Sequence, residues 1–205
     1  MDALIATFIF FFAVIDPIGT VPVFIAVTRH HEAAARRRIA LRATAIAAAV
    51  LLFFVIAGEI ILTALGIPLA AFQIAGGIVL FLFALTMIFG ESKPDEELKM
   101  AGSGTETAIF PLAVPSIASP GAMLAAVLLT ENNRYNLWEQ ALTALTMLVV
   151  LLVVLALLLA ATHVHRLIGN SGASIISRVM GMILSAVAVT SVLDGFRDYF
   201  GLAAG

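Results

Sequence analysis

Two proline-containing stretches hold the residues of this chain best suited to chemistry. The first reads Val14-Ile15-Asp16-Pro17-Ile18-Gly19-Thr20-Val21-Pro22, and the second reads Phe110-Pro111-Leu112-Ala113-Val114-Pro115-Ser116-Ile117-Ala118-Ser119-Pro120-Gly121. Five of the seven prolines lie in them. Inside a helix, proline removes a hydrogen bond and clashes with the preceding turn, at a cost of about 3 kcal/mol or more. Asp and Ser are good N-cap residues, and proline is favoured at the first helical position. Asp16-Pro17 and Ser119-Pro120 therefore each read as the start of a new half-helix. A helix start presents free N–H groups and partial positive charge, which suit a carboxylate. Asp16 beside such a start can carry a proton, ligate Na⁺ or pair with a substrate ammonium. The candidate binding residues are Asp16, Pro17, Gly19, Thr20, Ser116, Ser119, Pro120 and Gly121, the two glycines allowing a ligand close to the backbone.

The surroundings of these stretches are strongly apolar. The 205 residues are 62% hydrophobic and 12% charged, with a mean hydropathy of +1.11. A soluble domain is about a quarter charged, and so greasy a fold would expose apolar surface to water that it cannot cover. The net charge of −2 gives no basic excess for nucleic acid, and the absence of cysteine removes disulfides and thiolate metal sites. His163 and His165 have no companion carboxylate nearby, so no metal site is expected. No Lys or Arg precedes the first apolar run, which is too long for a signal-peptide core and reads as a spanning helix.

A spanning helix needs about 20 apolar residues. Six segments meet this: 3–27, 43–65, 68–89, 108–130, 137–161 and 174–196. The expected fold is an all-α membrane domain over 1–205, with repeat 1 at 1–90, an acidic linker at 91–107 and repeat 2 at 108–205. The linker reads as a solvated tether. By the rise per residue, Asp16 lies about 20 Å into the first helix and Ser119 about 17 Å into the fourth, both near mid-membrane. A carboxylate at that depth is by default a functional group.

Basic residues set the orientation. Arg29, Arg36, Arg37, Arg38, Arg42, Lys93, Lys99, Arg166 and Arg178 fall on one side, and Arg134 and Arg197 on the other. This predicts an inner (plasma) membrane protein with both termini outside. The Arg36–Arg38 cluster suits anionic headgroups.

The halves echo each other at an offset of 103 to 104. Asp16-Pro17 matches Ser119-Pro120, and Gly77 with Thr86 matches Gly181 with Thr190. Three helices per half give opposite polarity, the inverted-repeat plan of many secondary transporters.

The sequence resembles the MarC family of integral membrane proteins at Asp16–Pro22, Ile74–Ile78, Phe110–Gly121 and Ile176–Gly181. The family often has Asn or Asp before the first proline, as here, and usually Gly-Pro-Gly at the second, where this chain has Ser119. The resemblance implies six membrane helices, distant similarity to LysE-type amino-acid exporters, and for some members cation-coupled transport of small neutral amino acids such as glycine and alanine.

Glu59, about 9 Å from the outer end of the second helix, reads as an interfacial residue or a second coupling-ion candidate. Gln73, Thr86, Thr190 and Ser191 suit interhelical hydrogen bonds. Gly76, Gly77 and Gly181 suit close helix packing. Arg178 and Asp194 read as anchors at opposite ends of the sixth helix. Helix five, aliphatic from Leu148 to Ala161, is expected to face lipid.

The leading expectation is a non-enzymatic secondary transporter of small zwitterions, driven by Na⁺ or H⁺ and without a cofactor. Its partners are the lipid bilayer and a small amino acid, with a homo-oligomer also compatible. A small-solute channel and a structural or regulatory membrane protein are the alternatives. No HExxH, Gly-x-Ser-x-Gly or clustered acid–base pair points to an enzyme.

Overall fold

In lipid, backbone polar groups must be satisfied within the segment, which leaves helices as the solution for runs of this length. The computed structural model describes residues 2–89, 108–132 and 134–201, and these form helices joined by short turns. The elements are α1 (Asp2–Ile15), α2 (Pro17–Thr28), α3 (Ala33–Ala64), α4 (Leu69–Phe89), an irregular wide-turned segment α5 (Ala108–Ile117), α6 (Pro120–Leu128), α7 (Leu137–Leu159) and α8 (Ala161–Phe200). Among the described residues, five spans are long and apolar enough to cross a bilayer, and a sixth follows if α5 and α6, bent by 48°, count as one. The acidic tether expected at 91–107, with Lys93 and Lys99, lies outside the described residues.

Both expected interruptions are present. Asp16 is the middle residue of the 25-residue span Leu4–Thr28 and adopts a left-handed conformation (φ 50°, ψ 67°) between α1 and α2. Ser119 is extended (φ −72°, ψ 159°) and begins α6. Within α5 the backbone leaves helical geometry at Phe110 and Val114, each directly before a proline, as steric conflict with the following ring requires.

One boundary and one expected surface differ from the sequence expectation. The second span starts ten residues early, at Ala33, because an Ala- and Arg-rich stretch favours helix without being apolar. The sixth span begins at Ser174, as expected, although its helix α8 already starts at Ala161 and turns at Gly169, whose φ of 66° suits glycine. Helix five does not simply face lipid. Met147, Val150, Leu151, Val154 and Leu158 of α7 form a buried stripe at helical spacing, and α7 packs on α1, α2 and α3.

The first span is the centre of the bundle, with 61% of its apolar stretch buried against 22% for those of α3, α4 and α8. α2 packs on α7 and α8, while α6 packs on α3 and α4. α4 and α8 form the most extensive pair and run antiparallel, Gly195 lying beside Ala70 and Ile74, and Gly181 beside Ala84 and Ile88. A Cβ on Gly77 would lie 3.0 Å from the Ala188 carbonyl oxygen, and one on Gly181 would lie 3.0 Å from that of Ala84. Gly76 likewise meets the Leu124 side chain of α6. These glycines serve close packing, as expected.

Candidate functional site

The two interruptions meet. Helix α1 ends with the Asp16 N–H donating to the Phe12 carbonyl at 3.0 Å. Beyond that point the ladder fails, since Pro17 has no N–H to offer and Asp16 has left helical geometry. The Val14 carbonyl is taken up from the other half of the chain, accepting the Ser119 hydroxyl at 2.7 Å. The same Ser119 oxygen accepts the Ala122 N–H at 3.1 Å and so caps α6. One hydroxyl thus starts one half-helix and closes the end of another.

Asp16 caps α2 in the corresponding way, its Oδ1 accepting the Gly19 N–H at 3.0 Å. Its carbonyl accepts the Thr20 hydroxyl at 3.1 Å, and Thr20 Oγ1 accepts the Ser116 hydroxyl at 3.2 Å. Ser177 of α8 donates to Asp16 Oδ2 at 3.5 Å, long for an O–H···O bond. Asp16 is 1% exposed, and Thr20, Ser116, Ser119 and Ser177 are fully buried. The result is a closed patch of carboxylate and hydroxyl oxygens among small apolar residues, including Ala13, Ala113 and Ala118. Among the described residues the polar side-chain atoms here are oxygens, which suit a proton, Na⁺ or an ammonium; the Gly19 and Ala122 N–H donors of the two helix starts are held by Asp16 and Ser119.

The chain matches the MarC family integral membrane protein model over residues 1–200. It belongs to the MarC family. Among similar proteins, a UPF0056 membrane protein of Methanocaldococcus jannaschii is 36% identical over 189 residues, covering 91% of this chain and 92% of the relative. The UPF0056 inner membrane protein YhgN of Escherichia coli K12 is 35% identical over 197 residues, covering 96% and 98%. A UPF0056 membrane protein of Aquifex aeolicus is 31% identical over 198 residues, covering 95% and 92%. No solved structure gives a significant match.

Of the residues that sequence singled out in this MarC chain, Asp16, Gly19, Thr20, Ser116 and Ser119 are brought together, with Pro17 and Pro120 opening the two half-helices. The glycines behave differently from expectation. The space beside Gly19 is filled by the Asp16 carboxylate, and a Cβ on Gly121 would lie 2.6 Å from Leu80 and 3.4 Å from Val14. In this conformation both admit neighbouring side chains rather than a ligand.

Glu59 lies apart from the patch. Its carboxylate accepts the Asn132 N–H at 2.8 Å and ties α3 to the turn after α6. Arg134 reaches Asp198 at 3.6 Å and Arg197 reaches Asp194 at 3.2 Å, half-exposed pairs worth at most about 1 kcal/mol each. Burial pushes the Glu131 carboxyl above its ordinary value; Arg134 opposes the rise, and Glu59 and Asp198 add to it. At the opposite end of the bundle, Arg178 donates to the Ile88 carbonyl at 3.0 Å and closes the last turn of α4.

Sequence reasoning missed Ser177. A single serine in a long helix is commonplace, but one signal was available. At an offset of 104 its counterpart is Gln73, which with Ser191 is among the polar residues buried in this helix pair near its close-packed glycines.

Proposed function

We propose that this MarC-family chain is a secondary transporter of small neutral amino acids in the inner membrane, coupled to Na⁺ or H⁺ and working by alternating access. The single observation that carries the reading is the junction of two interrupted spans around a buried aspartate. In lipid a buried carboxylate is costly to keep, and its retention argues for a role with ions or substrate. The substrate carboxylate would sit on the helix starts of α2 and α6, with Asp16 and Ser177 taking the coupling ion or the substrate ammonium.

The inverted-repeat plan has support in the packing. Adding 104 turns Gly77 into Gly181, Ala84 into Ala188 and Ile88 into Val192. Gly77 packs against Ala188 and Val192, while Gly181 packs against Ala84 and Ile88, so the contact maps onto itself. The caps also correspond at an offset of 103, Asp16 to Gly19 and Ser119 to Ala122. α1 on α7 is matched by α5 on α3, and α2 on α8 by α6 on α4. The contacts Val14 to Ser119 and Thr20 to Ser116 run in antiparallel order, the polarity that inversion requires. Two such halves can rock about their shared centre.

A patch closed from both ends favours alternating access over an open pore. The purified protein in liposomes, given labelled glycine or alanine, should show saturable uptake and accumulation against a concentration gradient when a Na⁺ or pH gradient is imposed. Non-saturating, strictly downhill flux would replace this reading with a channel, and no protein-dependent flux would replace it with a non-transporting role.

A further inference from the structure

The end of the bundle bearing Arg29 to Arg42 holds a cavity of about 400 Å³, within the roughly 300–1,000 Å³ of small-molecule sites. It is bounded by Phe24 of α2, Arg36 and Arg37 of α3, and Leu158, Leu159 and Ala161 where α7 passes into α8. The walls are apolar and two guanidiniums stand among them. Arg36 is half-buried, and its guanidinium carbon is 5.8 Å from the centre of the Phe24 ring, a cation–π distance that holds it over the wall. Among the described residues neither Arg36 nor Arg37 is ion-paired with a carboxylate. Thr28 ends the first span and Leu159 ends that of α7, which sets the cavity at the boundary between apolar spans and polar turns.

A cavity that is apolar on one side and bears on the other two cations with no carboxylate partner among the described residues selects an amphiphilic anion. The opposite end of the bundle also has a cavity, of about 330 Å³ beside Glu59, Leu62 and Pro68, but its charged wall is a carboxylate. Of these two cavities, the first alone has a cationic wall.

We propose that the Arg36–Arg37 cavity binds an anionic phospholipid. The phosphate diester takes paired N–H donors from the two guanidiniums, a geometry that arginine provides and lysine does not. The upper acyl chain lies against Leu159, the exposed large apolar residue of the lining, while Phe24 and Leu158 are buried in the bundle. The site is separate from the Asp16 patch and stands whether or not the chain transports amino acids.

Native mass spectrometry of the detergent-purified full chain, titrated with phosphatidylglycerol or phosphatidylcholine, tests this. Phosphatidylglycerol should be retained in preference to phosphatidylcholine. Arg36→Gln with Arg37→Gln should weaken its retention about 100-fold, taking about tenfold for each charge-assisted arginine contact. Arg38→Gln with Arg42→Gln removes the same charge outside the cavity and should leave retention nearly intact; equal loss in the two double variants would overturn the proposal in favour of diffuse attraction. Leu159→Trp, at an exposed lining position, fills the cavity without changing charge and should also weaken retention strongly, and undiminished binding there would equally overturn it. A third arm uses inorganic phosphate: if phosphate alone binds with the same arginine dependence and displaces the lipid, the ligand is a free anion and the lipid assignment fails.

Discussion

The two interruptions occupy matching places in the two halves, yet they are built differently. At the first, a carboxylate caps from a left-handed backbone and folds back over the third residue, so that position must be Gly19. At the second, a shorter hydroxyl caps from extended backbone, and the third residue is Ala122 with room for its Cβ. Aspartate and asparagine tolerate left-handed geometry because their short polar side chains bond locally. The same capping job is thus done once by a group that can carry charge and once by one that cannot. Any coupling chemistry therefore belongs to the first interruption, and the second is its neutral partner.

Asp16→Asn presses hardest on this contrast. Asparagine caps as well as aspartate and accepts the same backbone conformation, so stability should change by less than about 1 kcal/mol. Gradient-driven uptake of glycine or alanine into liposomes should nonetheless fall to the background of protein-free vesicles. Normal uptake would remove Asp16 from the mechanism.

Gly19→Ala should come next. Its Cβ collides with the Asp16 carboxylate, and relieving the clash should cost about 1–3 kcal/mol, measurable by thermal unfolding in detergent. Ala122→Gly at the matching position should cost only about 0.5–1 kcal/mol. Equal losses at the two sites would erase the difference between the interruptions.

Ser119→Ala removes both the α6 cap and the donor to Val14, with an expected loss of about 0.5–2 kcal/mol by the same assay. In the folded fraction the KM for uptake should rise while its ion dependence stays as in wild type. The smallest effect is expected for Ser177→Ala, where a 3.5 Å bond supports less than about 1 kcal/mol. That variant should shift the dependence of uptake on Na⁺ or pH while leaving stability close to wild type. An unchanged ion dependence would reduce Ser177 to a packing residue.

The interruptions were legible in sequence because proline, aspartate and serine act through local backbone chemistry that needs no tertiary context. Ser116 and Thr20 were legible for a weaker reason, their closeness to those breaks in the chain. Ser177 was not, since its role depends on which face of α8 meets α2, and a helix in lipid gives no polar–apolar contrast to reveal that face. The same blindness explains α7, whose aliphatic surface hides the buried stripe from Met147 to Leu158. In sequence Gly19 and Gly121 read as room for a ligand; the space beside them holds the Asp16 and Leu80 side chains, and sequence does not reveal which neighbour comes that close. The start of α3 at Ala33 escaped because the search was for apolar length, whereas Ala and Arg form helix on propensity alone.

The chain has no cysteine, which permits a direct test of the shared centre. The Thr20 and Ser116 hydroxyl oxygens lie 3.2 Å apart on α2 and α5, so cysteines at both positions should be close enough to join as a disulfide. Oxidising Thr20→Cys/Ser116→Cys in liposomes should form the cross-link and stop amino-acid uptake, and reduction should restore it. A quantitative cross-link with undiminished uptake would contradict a mechanism in which the two half-helices must part to pass substrate.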